Sequence, residues 1–219
     1  MALTLVIGNK AYSSWSLRPW LLLANGGVAF DEVRIPLYRD DSAAALAPWS
    51  PTGKVPVLID DGLTICDSLA IAEYLAERFP DRCGWPAAVP ARAVARSASA
   101  EMHAGFAALR SEMPFNCRSR RRVSLSDAAT QDVRRVQALW ADCRRRFGAG
   151  GPWLFGAVSP ADAMFAPVAL RFVTYGAALD APARAYVDAV AAHPAVQAWI
   201  AAARTESEVI AGSEVGEPA

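Results

Sequence analysis

Ser13, Ser14 and Ser16 form a hydroxyl cluster, interrupted by Trp15, where a short apolar strand pattern gives way to an apolar helix pattern. A hydroxyl at a helix N-terminus lies in the positive end of the peptide dipole. It can hold a thiolate brought by a ligand, drawing a thiol pKa down from ~8.5 toward neutrality. It cannot exchange disulfides itself. Asp67-Ser68 opens a second apolar helix pattern. Free N–H groups and a hydroxyl there suit a carboxylate, and Asp67 suits an ammonium; an α-amino acid end carries both. Between the two lies Gly53-Lys54-Val55-Pro56-Val57-Leu58. Proline cannot donate to a strand ladder, so Val55-Pro56 reads as part of an edge strand, with a cis and a trans bond equally compatible. The Val55 backbone then faces outward, where an extended peptide can pair with it. Taken singly, Ser13 and Ser14 are better explained as helix caps, and capping is part of the role of Asp67-Ser68. Order and spacing together outline a site for a small anionic thiol peptide.

The chain has 219 residues, 53% of them apolar and 20% charged. That is ordinary globular composition, with length for one large or two small domains. No apolar run approaches the ~20 residues that span a bilayer. The first residues enter a strand pattern with neither basic nor apolar leader, so the expectation is a cytoplasmic protein without membrane association. The four cysteines, Cys66, Cys83, Cys117 and Cys143, follow no metal or CxxC spacing, and only two histidines accompany them. Reduced thiols packed as small hydrophobes are expected, with no metal. Net charge is zero. Residues 81–150 nevertheless carry 13 basic against 6 acidic groups, including Arg118, Arg120, Arg121 and Arg122. Without interleaved aromatics this reads as a solvated helix face and not as a nucleic-acid surface.

The elements that must position the site follow from periodicity. Residues 3–7 read as a buried strand, 17–24 as a helix stopped at Gly26-Gly27, 30–37 as a strand and 42–47 as a short helix. Residues 55–60 and 63–65 form a hairpin across Asp61-Gly62. A helix over 68–79 ends at Pro80. Residues 80–90 read as a linker with three prolines. Beyond it only helices are expected: 91–117, 126–147, 160–175 behind the capping sequence Ser159-Pro160-Ala161-Asp162, 182–192 and 194–203. The last dozen residues read as disordered. The fold class is thus α/β plus all-α, β-α-β-α-β-β-α followed by an all-helical unit, with domains at 1–80 and 91–206.

With its N-terminal half thioredoxin-like, the chain resembles the glutathione transferase family over nearly its whole length. The zeta class is nearest, through Ser13-Ser14-Trp15-Ser16-Leu17-Arg18, where Trp15 stands in the place of the zeta cysteine. The resemblance implies glutathione as co-substrate, with Ser13 activating its sulfur and Ser14 as the neighbouring candidate. It implies binding through Ser13, Trp15, Lys54, Val55, Pro56, Asp67 and Ser68. Val55 would pair with the cysteinyl unit, Asp67 and Ser68 would hold the γ-glutamyl end, and Lys54 would reach the glycine carboxylate. A small hydrophobic electrophile would lie against the first helix of the second half, at Met102, His103, Phe106, Met113, Phe115 and Asn116. The implied activity is glutathione transfer, of the detoxification type, by a homodimer. A glutathione-dependent cis–trans isomerase of the maleylacetoacetate kind and a non-catalytic glutathione-binding protein are the alternatives.

Overall fold

Leu3–Ile7 form β1, with four of its five residues buried, as a continuous apolar run inside a covered sheet requires. The computed structural model describes residues 3–219. After β1 come α1 (Ser14–Asn25), β2 (Phe30–Arg34), α2 (Ser42–Leu46), β3 (Val57–Asp60), β4 (Leu63–Cys66) and α3 (Ser68–Arg78). Then follow α4 (Pro80–Cys83), α5 (Val89–Ala104), α6 (Ala107–Glu112), β5 (Arg121–Arg122), α7 (Asp127–Phe147), α8 (Pro160–Tyr175), α9 (Ala181–Ala192), α10 (Pro194–Arg204) and β6 (Glu217–Pro218). The main sheet has the order β2-β1-β3-β4, with β1 parallel to β2 and antiparallel to β3. The β3–β4 hairpin turns on Asp61 and Gly62, both at positive φ (48° and 83°), the geometry that Asp-Gly supplies.

Register sets the location of the site. Val6 pairs with Val57, and Val57 pairs with Cys66. The end of β1, the start of β3 and the end of β4 therefore lie side by side at one end of the sheet. The chain leaves β1 there toward Ser13 and Ser14, enters β3 there from Val55-Pro56, and leaves β4 there into Asp67-Ser68. One sheet face packs Leu5, Ile7 and Leu58 into a core continuous with the helical half. The other face gathers Val6 and Val57 with Ile35 and Leu46. Within the helical half α8 is buried along nearly its whole length and packs against α1, α5 and α9. Its start is the expected capping box. Asp162 accepts from the Ser159 N–H and hydroxyl (3.0 Å each), the Leu154 N–H (3.0 Å) and the Tyr186 hydroxyl (3.1 Å). No helix among the described residues is long and apolar enough to cross a membrane.

Several expectations are corrected. The helix expected over 91–117 breaks at Gly105, and Phe106 adopts a left-handed conformation (φ 60°) before α6 restarts. A Cβ on Gly105 would lie 2.8 Å from the Glu101 carbonyl oxygen, so the turn needs glycine. The linker shrinks to residues 84–88, because Pro80–Cys83 forms a short helix and α5 begins at Val89. β3 is interior and not an edge strand. Pro56 avoids the ladder by preceding the strand, and its peptide bond with Val55 is cis.

The C-terminal segment is ordered. Glu206 accepts from the backbone N–H groups of Lys10 (2.7 Å) and Ala11 (2.9 Å). Glu214 accepts from the Tyr12 hydroxyl (2.5 Å) and from Asn116 (3.0 Å), and pairs with Arg121. β6 pairs with β5. The arginine run at 118–122 is thus no solvated helix end: Arg118 donates to the Glu206 and Glu208 carbonyls and Arg121 to those of Glu214 and Gly216. Sequence periodicity misses these contacts because the tail is held by polar side chains and not by an apolar stripe. Glu206→Ala removes a charged acceptor from two backbone donors. It is expected to cost about 2 kcal/mol in denaturant unfolding and to speed proteolysis within residues 205–219.

Candidate functional site

α1 begins at Ser14, one turn earlier than periodicity placed it, because Ser13 and not Ser16 is the cap. The Ser13 hydroxyl accepts from the Ser16 N–H (3.3 Å) and shares a 2.7 Å hydrogen bond with the Ser16 hydroxyl. Ser16 in turn accepts from the Gly8 N–H (3.1 Å), so both serines take part in shaping the strand-to-helix turn. Ser14, the first helical residue, is free of that network. Its hydroxyl accepts from Nη2 of Arg171 at 3.4 Å, across from α8.

Trp15 points between two guanidinium groups. Arg18 lies 4.2 Å and Arg110 4.9 Å from its ring centre, and His103 meets its edge at 5.3 Å. Arg18 also donates to the Ser68 hydroxyl (3.2 Å). Asp67 caps α3 by accepting from the N–H groups of Leu69 (2.8 Å) and Ala70 (3.2 Å). Its other oxygen lies 3.2 Å from Nε2 of His103. Contacts therefore tie Trp15, Arg18, Asp67, Ser68, His103 and Arg110 into one cluster, with Ser14 and Arg171 beside it. Val55 and Lys54 reach the same sheet end by topology. The Lys54 backbone is fixed by the Ser50 hydroxyl while the residue itself is exposed.

Burial shapes the electrostatics here. Arg18 is pushed well below its ordinary pKa, first by burial, then by the charges of Arg110 and Arg171, with Asp67 opposing. Burial, then Arg110, brings Arg171 down to about 9, which leaves it cationic at neutral pH. Burial lowers Arg110 as well.

The residues expected to line an electrophile pocket do not open onto one. Met102, Met113 and Asn116 are wholly buried, and Phe106 and Phe115 are in the core. The Asn116 amide holds the tail at Ser213 and Glu214. Of that set only His103 is partly exposed, and it faces Asp67. Sequence reasoning named neither Arg110 nor Arg171 for the site. One signal was visible: Arg171 is the lone cation in the apolar run 160–175.

Known proteins match this arrangement. The profile of the family described as "Glutathione S-transferase, N-terminal domain" matches residues 12–78. A Caenorhabditis elegans protein named "Probable maleylacetoacetate isomerase" is 36% identical over 72 residues, 33% of each chain. The match thus spans about a third of that relative's length. An Aplysia californica protein named "Probable glutathione transferase" is 34% identical over 67 residues, which are 31% of this chain and 71% of the relative. The chain belongs to the glutathione S-transferase family. The solved structures agree in fold. A glutathione transferase homologue from Burkholderia gl BGR1, crystallised with bound glutathione, superposes with a TM-score of 0.70 at 25% identity. It covers 94% of this chain and 100% of its own. Membership accounts for the thioredoxin-like sheet unit followed by helices.

Proposed function

We propose that this chain binds glutathione at the sheet end shared by Ser14, Val55 and Asp67-Ser68, and directs its thiolate at a small electrophile. The convergence of those three segments, set by the register Val6–Val57–Cys66, carries the reading. The Burkholderia homologue with bound glutathione supports it. In this reading the α3 N-terminus and the Ser68 hydroxyl take the γ-glutamyl carboxylate. Asp67 takes the ammonium and shares it with His103. Val55 pairs with the cysteinyl backbone, and exposed Lys54 reaches the glycine carboxylate. Trp15 walls the peptide. Ser14 donates to sulfur, since the Ser13 hydroxyl is engaged by Ser16. A division at 1–80 and 91–206 and a homodimer belong to the same reading, on family membership alone.

In the same reading the electrophile takes a separate cleft. A cleft of about 530 Å³ lies between Leu37, Tyr38 and Arg39 on one side and residues 208–213 on the other. Leu37 lines the cleft and approaches the strand-to-helix turn: a Cβ on Gly8 would meet Leu37 Cδ1 at 2.5 Å and Ser13 Cβ at 3.3 Å. Tyr38 stands at the mouth, 85% exposed and at φ 59°. Tyr38→Ala is expected to raise KM for the electrophile by roughly 3- to 10-fold, leaving KM for glutathione unchanged.

Steady-state conjugation of glutathione to a chlorodinitrobenzene tests the transferase reading. Saturable, enzyme-proportional product supports it. Saturable glutathione binding without turnover on this or any of a panel of electrophiles would leave a binding protein. The isomerase named in the nematode relative is the second reading, favoured by the guanidinium groups beside the site, which could hold an unsaturated diacid. Glutathione-dependent isomerisation of a cis enedioic acid, without consumption of glutathione, would select it.

A further inference from the structure

Three guanidinium groups from three helices act on one another here: Arg171 of α8 reaches Ser14, while Arg18 of α1 and Arg110 of α6 lie against neighbouring Trp15. Arg18 is 2% exposed and Arg171 6%. Asp67 is the one carboxylate whose charge acts on Arg18. Arg18 and Arg110 each keep a buried Nε without an acceptor. Buried cations short of counter-charge are costly, and a bound anion would offset that cost. The other charged or titratable groups facing the cluster are Asp67 at the start of α3, His103 on α5 and Tyr175 at the end of α8, whose charge acts on Arg171.

Arg171 is fixed. Its Nε donates to the Met113 carbonyl (2.8 Å), Nη1 to that of Pro167 (3.5 Å) and Nη2 to Ser14 Oγ (3.4 Å). A guanidinium only donates, so Ser14 must accept. One Ser14 lone pair is taken, and its own proton is left to point away from α8. Among the described residues no other hydrogen bond engages that hydroxyl.

We propose that Arg171 is a positioning residue that turns the Ser14 proton toward the incoming sulfur, and that the Arg18–Arg110–Arg171 cluster selects the bound thiol in its anionic form. This rests on the glutathione reading. The thiol loses its proton to solvent on binding, no bond to sulfur is made or broken beyond S–H, and the thiolate accepts the Ser14 O–H. The arriving negative charge relieves the mutual repulsion of the cations. Because the donors are already aimed, no reorganisation is needed when the charge appears. The inference extends the serine's role: the hydroxyl supplies one hydrogen bond, and the helical half of the chain supplies the field.

The test follows the ultraviolet thiolate absorbance of bound glutathione against pH in wild type, Arg171→Met, Arg171→Lys and Arg110→Met. S-methylglutathione, which has no thiol to ionise, reports binding independently. Arg171→Met should raise the bound thiol pKa by about one unit or more, within the range that a nearby opposite charge commands. Its affinity for S-methylglutathione should stay within about threefold, a change too small to explain that shift. Arg110→Met should raise the pKa less, and Arg171→Lys, which keeps charge without the fork, should fall between wild type and Arg171→Met. A purely structural arginine would change melting temperature and binding but not this pKa. Wild-type thiol pKa in a folded Arg171→Met that binds S-methylglutathione would overturn the proposal. If that variant fails to fold, an unchanged pKa in Arg110→Met overturns it instead. Failure of wild type to bind S-methylglutathione would defeat the glutathione reading itself, a result read before any variant is made.

Discussion

Asp162→Ala is expected to destabilise the chain by about 3–5 kcal/mol, measured as the shift in denaturant midpoint at constant m-value. Asp162 is 1% exposed and Tyr186 wholly buried. Removing the carboxylate strands the Leu154 and Ser159 N–H groups and the Tyr186 hydroxyl at once. Each stranded donor costs about 1–3 kcal/mol, and alanine adds a cavity. The helix it caps is the one on which α1, α5 and α9 all rest, so loss should be global and not confined to one turn. The penalty also depends on pH. Burial pushes Asp162 up to about 6, against the pull of its hydrogen bonds from Leu154, Ser159 and Tyr186. A folded pKa above the unfolded one means that the native chain binds this proton more tightly. Its contribution is fully present below about pH 4 and is lost as pH rises through 6. The gap between wild type and Asp162→Ala should therefore be wider at pH 4 than at pH 7. A gap that widens with rising pH would contradict this burial argument.

Ser14→Ala and Ser13→Ala should fail in different ways. If Ser14 donates to sulfur, its loss lowers kcat/KM by roughly 100-fold, the effect of removing one preorganised donor, and taking the acceptor from buried Arg171 costs about 1–3 kcal/mol of stability besides. Ser13→Ala removes the α1 cap and its bond to Ser16. It should cost about 1 kcal/mol of stability and leave most of the activity. Measuring kcat/KM and unfolding free energy for both variants separates the roles. The reverse pattern, activity lost with Ser13 and kept with Ser14, would return sulfur activation to the cap residue.

Most of the site's scaffold was legible in the sequence because local chemistry determines it. The apolar run at 3–7, the Asp61-Gly62 turn, the Asp67 cap and the capping box at Ser159–Asp162 each follow from residue type at short range. The break at Gly105-Phe106 was not, since periodicity continues across it; the turn that forms there takes glycine at 105, where a Cβ would lie 2.8 Å from the Glu101 carbonyl oxygen. The interior place of β3 was missed because proline at 56 resembles an edge signal until the strand is seen to start at Val57. Arg110 reaches Trp15 from α6, and Arg171 reaches Ser14 through the packing of α8 against α1, neighbourhoods that no short window contains. The expected electrophile residues fell into the core for the complementary reason: an apolar residue on a helix reads the same whether it lines a pocket or fills one. The tail is the sharpest case. Its order rests on Glu206 and Glu214 meeting backbone and arginine partners from the first third and the middle of the chain.

The most direct test of the central claim is the thiolate absorbance of glutathione bound to the wild-type chain, titrated against pH. A thiol held by Ser14 near two buried cations and a half-buried third should ionise at least a full unit below the ~8.5 of a free thiol. Saturable binding with an unshifted midpoint would contradict thiolate stabilisation at this site, and absence of binding would contradict the glutathione assignment altogether.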